Sequence, residues 1–291
     1  MMEQITLQAY AKINLTLDII GRRTDGYHEL DTVMQSVSLA DTVQLTKMPG
    51  GGLSVRCDNA QLPQDKENIA YRAAMTYFET AHMPVQDVSI VIRKQIPSQA
   101  GLGGGSADAA ATLIGLCTLF GSLPTETLLQ AGASIGADVP FCLTGGCLRA
   151  RGIGELLSPL PLLPECTILI AKPAVGMSTA DAYAAYDRLP VGQPPYTNAL
   201  IAALSGRNLQ KIGAALDNVF AKTAPLPAVE AIRTTMHAAG AAGACMSGSG
   251  TAVFALFADE VAARRCAASL SGAQITLFIC QPIHAGCIPI L

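Results

Sequence analysis

The run PSQAGLGGGSADAAA at residues 97–111 sets glycines at 101, 103, 104 and 105 directly before an apolar helical pattern. Glycine tolerates positive φ and lets a ligand approach the backbone where a Cβ would stand, and the free amides at a helix start attract an anion. The chemistry suggested is phosphate binding. Ser106 is then expected to cap the helix and turn its hydroxyl toward phosphate or Mg²⁺. The plainer alternative is a flexible turn followed by an ordinary serine cap. Two familiar phosphate loops do not fit. A Walker loop needs Gly-Lys-Ser/Thr, whereas Ser106, Ala107 and Asp108 follow Gly105. A Rossmann loop needs a third glycine where Ser106 stands and an acidic residue at the end of the next strand, and here a second helical pattern follows. A second glycine turn, MSGSGT at 246–251, leads into an apolar strand pattern at 252–257. Alone, that turn reads equally as a hairpin or a ligand site.

The elements that must position these loops follow from periodicity and breakers. Alternation over 5–17, interrupted around 10–12, reads as a strand carrying Lys12 and Asn14, with a turn at 21–26. Further strands are predicted at 39–45, 53–57 and 88–93, with a Pro/Gly break at 49–52. Asn68 caps a predicted helix with Tyr71, Ala74, Met75 and Phe78 on one face. The glycine loop joins strand 88–93 to a helix with Ala110, Leu113, Ile114, Cys117 and Phe120 on its apolar face. A helix at 125–134 leads into GADVP at 136–140, where proline disfavours helical backbone before it and leaves Asp138 in a loop. Prolines clustered in 158–164 mark the best domain boundary. Beyond it come a strand at 166–171, helices near 179–188, 208–220 and 228–239, a strand at 252–257, a helix at 258–270 and a strand at 274–280. The expectation is an α+β protein of two domains, 1–158 and 159–291, with a cleft between them.

At 291 residues the chain is long enough for two cores, and with 50% hydrophobic and 14% charged residues it has little sign of disorder. A net charge of −3 argues against a nucleic-acid scaffold. Nine cysteines lack a CxxC pair or a histidine cluster, so zinc is not expected. Cys117 and Cys280 fall in apolar patterns, as reduced thiols do in a cytoplasmic protein. The start MMEQITLQAY has no secretory pattern, and no apolar run approaches the roughly 18 to 20 residues that span a bilayer. No nucleic acid or membrane partner is expected, and the oligomeric expectation is a monomer or weak homodimer.

The pattern Pro-x-x-x-Gly-Leu-Gly-Gly-Gly-Ser-Ala resembles the second motif of the GHMP kinases, the superfamily of galactokinase, homoserine kinase, mevalonate kinase and phosphomevalonate kinase. Residues 246–251 resemble its third motif, which backs the phosphate loop. The resemblance implies the two-domain fold of those kinases, with ATP and Mg²⁺ as cofactors and a small-molecule alcohol as phosphoryl acceptor. The segment AKINLTLDIIGRRTDGYHEL at 11–30 is similar to the first motif of the branch that acts on a diphosphocytidyl alcohol in non-mevalonate isoprenoid synthesis. Homoserine or mevalonate as acceptor leaves Asp25-Gly-Tyr-His unexplained, and a nucleotide-binding regulator without catalysis leaves the catalytic pair unexplained.

That resemblance implies a role for each candidate residue. Lys12 and Asp138 form the catalytic pair: a carboxylate within reach accepts the alcohol proton as the phosphoryl group arrives, while an ammonium counters the negative charge. Pro97, Ala100, Gly101, Leu102, Gly103, Gly104, Gly105, Ser106 and Ala107 hold ATP, with Ser106 as the metal contact. Asn68 and Lys94 lie near adenine and ribose, or else Asn68 only caps its helix and Lys94 is a solvated strand end. Tyr27 and His28 read the cytidine, the alternative being a tyrosine packed on the core beside an exposed histidine. Asn14 shares the strand face of Lys12 and binds substrate hydroxyls or helps hold Asp138. Thr179 and Tyr183 contact substrate from the second domain, although Ser178-x-x-Asp181 also reads as a helix start.

Overall fold

Alternating apolar residues through Ile5, Leu7, Ala9, Ala11, Ile13 and Leu15 commit the start of the chain to one long strand, β1 (Gln4–Arg22), which turns back as β2 (His28–Lys47). The structure is a computed structural model and describes residues 3–188, 197–272 and 274–290. The separate strands predicted at 5–17 and 39–45 are parts of this antiparallel hairpin, whose arms run 19 and 20 residues. Register shifts at Tyr10/Lys12, Asn14/Thr16 and Ile19/Gly21 break the sequence alternation without ending the ladder.

The next elements are β3 (Leu53–Cys57), α1 (Ile69–Thr80) and β4 (Val88–Arg93), close to their predicted places. Asn68 caps α1 by accepting the Ala70 N–H. Met75, assigned to the core face, is exposed, because Ala70, Ala73, Ala74, Tyr77 and Phe78 supply that face. Helix α2 (Gly104–Phe120) starts before Ser106, so Ser106 is not its cap: Gly103 holds the N-cap position at φ 70, and Ser106 stands in the first turn. The single apolar face predicted for α2 is also too narrow. It is buried nearly all round, from Ala107 to Leu116, because it lies against β1, β2 and the neighbouring helices.

Helix α3 (Thr125–Ile135) is followed by a short α4 (Val139–Thr144) that the sequence reading lacked. Pro140 lies in its first turn, where no amide donor is needed, so Asp138 is a turn residue at the helix start. Strands β5 (Cys147–Gly152) and β6 (Leu156–Pro159) extend the sheet from β2. Then come β7 (Thr167–Pro173), α5 (Thr179–Tyr186), α6 (Thr197–Ser205) and α7 (Leu209–Ala214). The helix predicted over 208–220 is broken: after α7 come β8 (Asp217–Asn218) and α8 (Val219–Thr223). Asn208 and Asn218 each accept a backbone N–H of the helix that follows, so each starts a helix of its own. The chain closes with α9 (Pro227–Ala238), β9 (Gly243–Met246), β10 (Val253–Phe257), α10 (Glu260–Leu270), β11 (Ile275–Cys280) and β12 (Cys287–Ile290).

Helices and mainly antiparallel strands make the expected α+β architecture around two sheets. One runs β12-β1-β2-β4-β3, with β5 and β6 branching from β2 and β8 beside β1; the other runs β11-β7-β10-β9. Along β10, Val253, Ala255 and Phe257 pack with Val229, Ile232 and Met236 of α9, whereas Phe254 and Leu256 join the core of the first sheet. The division at residues 158 and 159 stands as our proposal, in which β7 opens the second sheet while β8 and β12 return to the first. Among the described residues no helix is long and apolar enough to cross a membrane.

Candidate active site

The glycine loop is clasped from both sides. Lys12 on β1 donates its backbone N–H to Leu102 O at 3.0 Å. On the far side Ser247 Oγ donates to Gly101 O at 2.8 Å and accepts the Asn14 N–H at 3.1 Å, and the Ala252 N–H reaches Ala100 O at 3.1 Å. Gly101 has φ +73, and a Cβ there would lie 1.9 Å from Ser247 O. At Gly103 a Cβ would lie 3.0 Å from Lys12 Cγ, so the missing side chain is what lets Lys12 lie along the loop. The first amides of α2 have no carbonyl one turn back to bond, and the residues that carry them, Gly104, Gly105 and Ser106, line the cavity. Asn218 steadies the second turn by donating to Met246 O at 2.7 Å and Gly248 O at 2.8 Å. Sequence reasoning missed Asn218, because only an asparagine cap advertised it.

Between the sheets lies a cavity of about 740 Å³. Of the sequence-predicted residues, Lys12, Asn14, Asn68, Lys94, Pro97, Ala100, Gly101, Leu102, Gly103, Gly104, Gly105, Ser106, Asp138, Thr179 and Tyr183 line it. Ala107 is buried one turn behind, and Tyr27 and His28 stand outside the lining. The register shift between Asn14 and Thr16 brings Lys12, Asn14 and then Leu17 to this one cavity.

Lys12 and Asp138, 126 positions apart in number, meet here with Nζ to Oδ2 at 3.4 Å. The lysine side chain is buried, with 4% exposure, against 34% for the aspartate, so the carboxylate is the member open to an incoming group. An aspartate at a helix start usually accepts that helix's amides; Asp138 makes no such bond and points to Lys12 instead. Lys12 Nζ also donates to Asn14 Oδ1 at 2.6 Å, and Asn14 Nδ2 donates to Thr32 Oγ1 at 2.9 Å. Asn14 therefore holds the lysine that faces Asp138.

Lys94 is not a solvated strand end. Its buried ammonium bonds Asp41 and, at 2.6 Å, Asp108 Oδ2. Asp41 Oδ1 also accepts the N–H groups of Gln95 and Ile96, at 2.6 and 2.8 Å. Burial works against the Lys94 charge, but the Asp108 and Asp41 carboxylates outweigh it and raise its pKa. Burial pushes the Asp108 carboxyl up to about 8 despite the lysine. Its Oδ1 has no hydrogen-bond partner among the described residues. Neither aspartate was singled out from sequence, since a lone Asp in a helix or strand pattern carries no signal of burial.

At the other end, Ser178 caps α5 by accepting the Asp181 N–H at 3.0 Å, while Thr179 Oγ1 lies 3.0 Å from Ser249 Oγ and faces the cavity. Capping and cavity contact thus coexist on adjacent residues. Burial pushes the Tyr183 phenol up to about 12. The His28 ring stacks on Tyr183 at 4.7 Å and meets the edge of Tyr186 at 5.8 Å, and its Nε2 lies 2.7 Å from Asp187 Oδ1. Tyr27 is 61% exposed, so a tyrosine packed on the core beside an exposed histidine is the reverse of what the turn presents.

A phosphate-shaped loop, helix amides and a Lys–Asp pair in one cavity suit phosphoryl transfer to an alcohol. The models for the GHMP kinases N terminal domain and the GHMP kinases C terminal match residues 68–146 and 200–275. A 4-diphosphocytidyl-2-C-methyl-D-erythritol kinase of Moorella thermoacetica is 45% identical over 275 residues, 92% of this chain and 95% of that protein. One of Exiguobacterium sibiricum is 43% identical over 271 residues, 92% and 94% of the two chains. A crystal structure of 4-(cytidine 5'-diphospho)-2C-methyl-D-erythritol kinase superposes with TM-score 0.76 at 34% identity, covering 96% of this chain and 99% of that one. Homoserine kinase from Cytophaga hutchinsonii, at TM-score 0.79 and 22% identity over 100% and 98% of the chains, shares the fold. With identity this high over nearly its whole length, the chain belongs to the GHMP kinases and, among them, to the 4-diphosphocytidyl-2-C-methyl-D-erythritol kinase family.

Proposed function

We propose that the chain transfers the γ-phosphoryl group of ATP to the 2-hydroxyl of 4-diphosphocytidyl-2-C-methyl-D-erythritol, giving the 2-phosphate and ADP. The observation that carries this is the Lys12–Asp138 pair, 3.4 Å apart in the cavity that the glycine loop lines. Asp138 accepts the hydroxyl proton as the new O–P bond forms and the bond from the γ-phosphorus to the bridging oxygen of ADP breaks. Lys12, kept in place by Asn14, offsets the charge gathering on the transferring group. The loop amides and the start of α2 hold the phosphates. Placement and charge neutralisation supply most of the acceleration, since phosphoryl transfer needs little covalent help.

The cradle fits a nucleotide phosphate: Gly101 and Gly103 let the loop close against Ser247 and Lys12, where a Cβ would lie 1.9 Å from Ser247 O and 3.0 Å from Lys12 Cγ, and Gly104, Gly105 and Ser106 at the start of α2 line the cavity. Mg²⁺, when bound with ATP, neutralises charge on the phosphates; Ser106, in the first turn of α2 and facing the cavity, is the side chain we assign to it. Asn68, beside the loop, is assigned to the nucleoside side, and Thr179, Tyr183, Tyr27 and His28 to the substrate. Nine free cysteines, six of them buried, support a reducing setting, the cytoplasm, where we propose a monomer or weak homodimer.

ADP release measured with the diphosphocytidyl alcohol, homoserine and mevalonate in parallel tests the assignment. Turnover with the first alone is expected; turnover with another alcohol, or ATP binding with no ADP release on any, would overturn it. Asp138→Asn is expected to lower kcat about a hundredfold or more, with ATP affinity within about threefold of wild type. Near-wild-type rates would remove Asp138 from the role of base.

A further inference from the structure

Asp187 follows the last residue of α5, and 159 positions separate it from His28 at the start of β2. The two side chains nevertheless meet at 2.7 Å, while the imidazole lies face to face with Tyr183 at an interplanar angle of 24°. Tyr186, the last residue of α5, meets the same ring edge-on. Tyr183 lines the cavity, so His28 stands one ring outside the cavity wall, with its plane and its rotation about that plane both fixed. An ionised carboxylate accepts hydrogen bonds and donates none, so Nε2 must carry the hydrogen in this pair. In the neutral ring that leaves Nδ1 as a lone-pair acceptor.

The two pyrimidine bases differ in what they offer such an atom. Cytosine presents an exocyclic amino group, a donor, where uracil presents a carbonyl oxygen, an acceptor. A fixed acceptor bonds the first and repels the second. We propose that Asp187 is a positioning residue that sets the nitrogen roles of His28 and thereby makes the pyrimidine site prefer a base carrying an amino group over one carrying a carbonyl. The proposal rests on the reading that His28 contacts the base of the substrate.

Steady-state kinetics of the full chain with the diphosphocytidyl alcohol and its diphosphouridyl counterpart test this. In Asp187→Ala the expected result is a KM for the cytidyl substrate raised about tenfold, kcat within about twofold, and the cytidyl-to-uridyl ratio of kcat/KM lowered about tenfold. Asp187→Glu, which can restore the carboxylate, should recover part of that ratio. A purely structural role would raise KM for both substrates alike and leave the ratio alone, and that result overturns the proposal. Nitrogen-15 spectra of the histidine rings, four in the chain, supply a readout independent of turnover. His28 is expected in the Nε2–H form in wild type and as a mixture of tautomers in Asp187→Ala; an unchanged spectrum overturns the proposal. His28→Ala separates the two levels. If it keeps the wild-type ratio, the base-contact reading fails and the proposal with it; if it loses the ratio while Asp187→Ala keeps it, only the role of Asp187 fails.

Discussion

At the scale of single residues, two glycines with similar backbones separate shape from conformation. Gly101 and Gly52 have φ of +73 and +66, yet a Cβ on Gly101 would strike Ser247 O at 1.9 Å while one on Gly52 would have nothing within 4 Å. Gly52→Ala should therefore cost only the left-handed backbone strain, about 1 kcal/mol. Gly101→Ala must in addition push the two glycine turns apart, and is expected to cost at least twice as much, about 2 kcal/mol or more, and to weaken ATP binding. Urea unfolding of both variants, with ATP titration of the folded proteins, checks this. Equal losses at the two positions would mean that the contact with Ser247 is slack. Asn14 makes the same point about precision in polar form: its side chain joins Lys12 to Thr32, and its backbone joins Ser247.

At the scale of elements, the Asp41–Lys94–Asp108 cluster ties β2, the end of β4 and α2 together beneath the phosphate loop. Lys94→Met leaves the buried Asp41 carboxylate, and the Asp108 carboxyl beside it, without their shared ammonium partner and is expected to destabilise the fold by about 3 to 5 kcal/mol. The pH dependence has a definite sign. The Asp108 pKa in the folded chain, about 8, lies above its ordinary 3.8, so the folded state holds the extra proton between those values. Stability then falls as pH rises through that window. Asp108→Asn should flatten the slope, which unfolding midpoints from pH 4 to 8 would show; parallel curves for variant and wild type would refute it. Of this cluster only Lys94 was singled out in the sequence, and neither its burial nor its two aspartate partners was legible there. The glycine loop, Lys12, Asp138 and their strand–loop–helix setting were, because glycines before a helix and a motif of fixed spacing are local signals. Tertiary coverage is not local: it buried α2 on every side, hid Lys94, and let asparagine caps divide a predicted helix into α7 and α8. The long β1–β2 hairpin was under-read for a related reason, since bulges erase the period-two pattern while the ladder continues.

At the scale of the whole molecule, alternate residues of β10 feed two cores, and β8 and β12 complete the first sheet from the second half of the chain. Because the halves share a sheet and a core, they are expected to unfold together. The full chain is expected to show one cooperative urea transition, and a fragment of residues 1–158 none, by circular dichroism; two separated transitions would contradict this. The clasp between Ser247 and Gly101 spans 146 positions. During synthesis, then, the nucleotide cradle has no back wall until the last fifth of the chain is being made. Free ATP cannot reward the early folding of the half that carries the glycine loop, and whatever stability the ligand confers is reserved for the nearly finished protein.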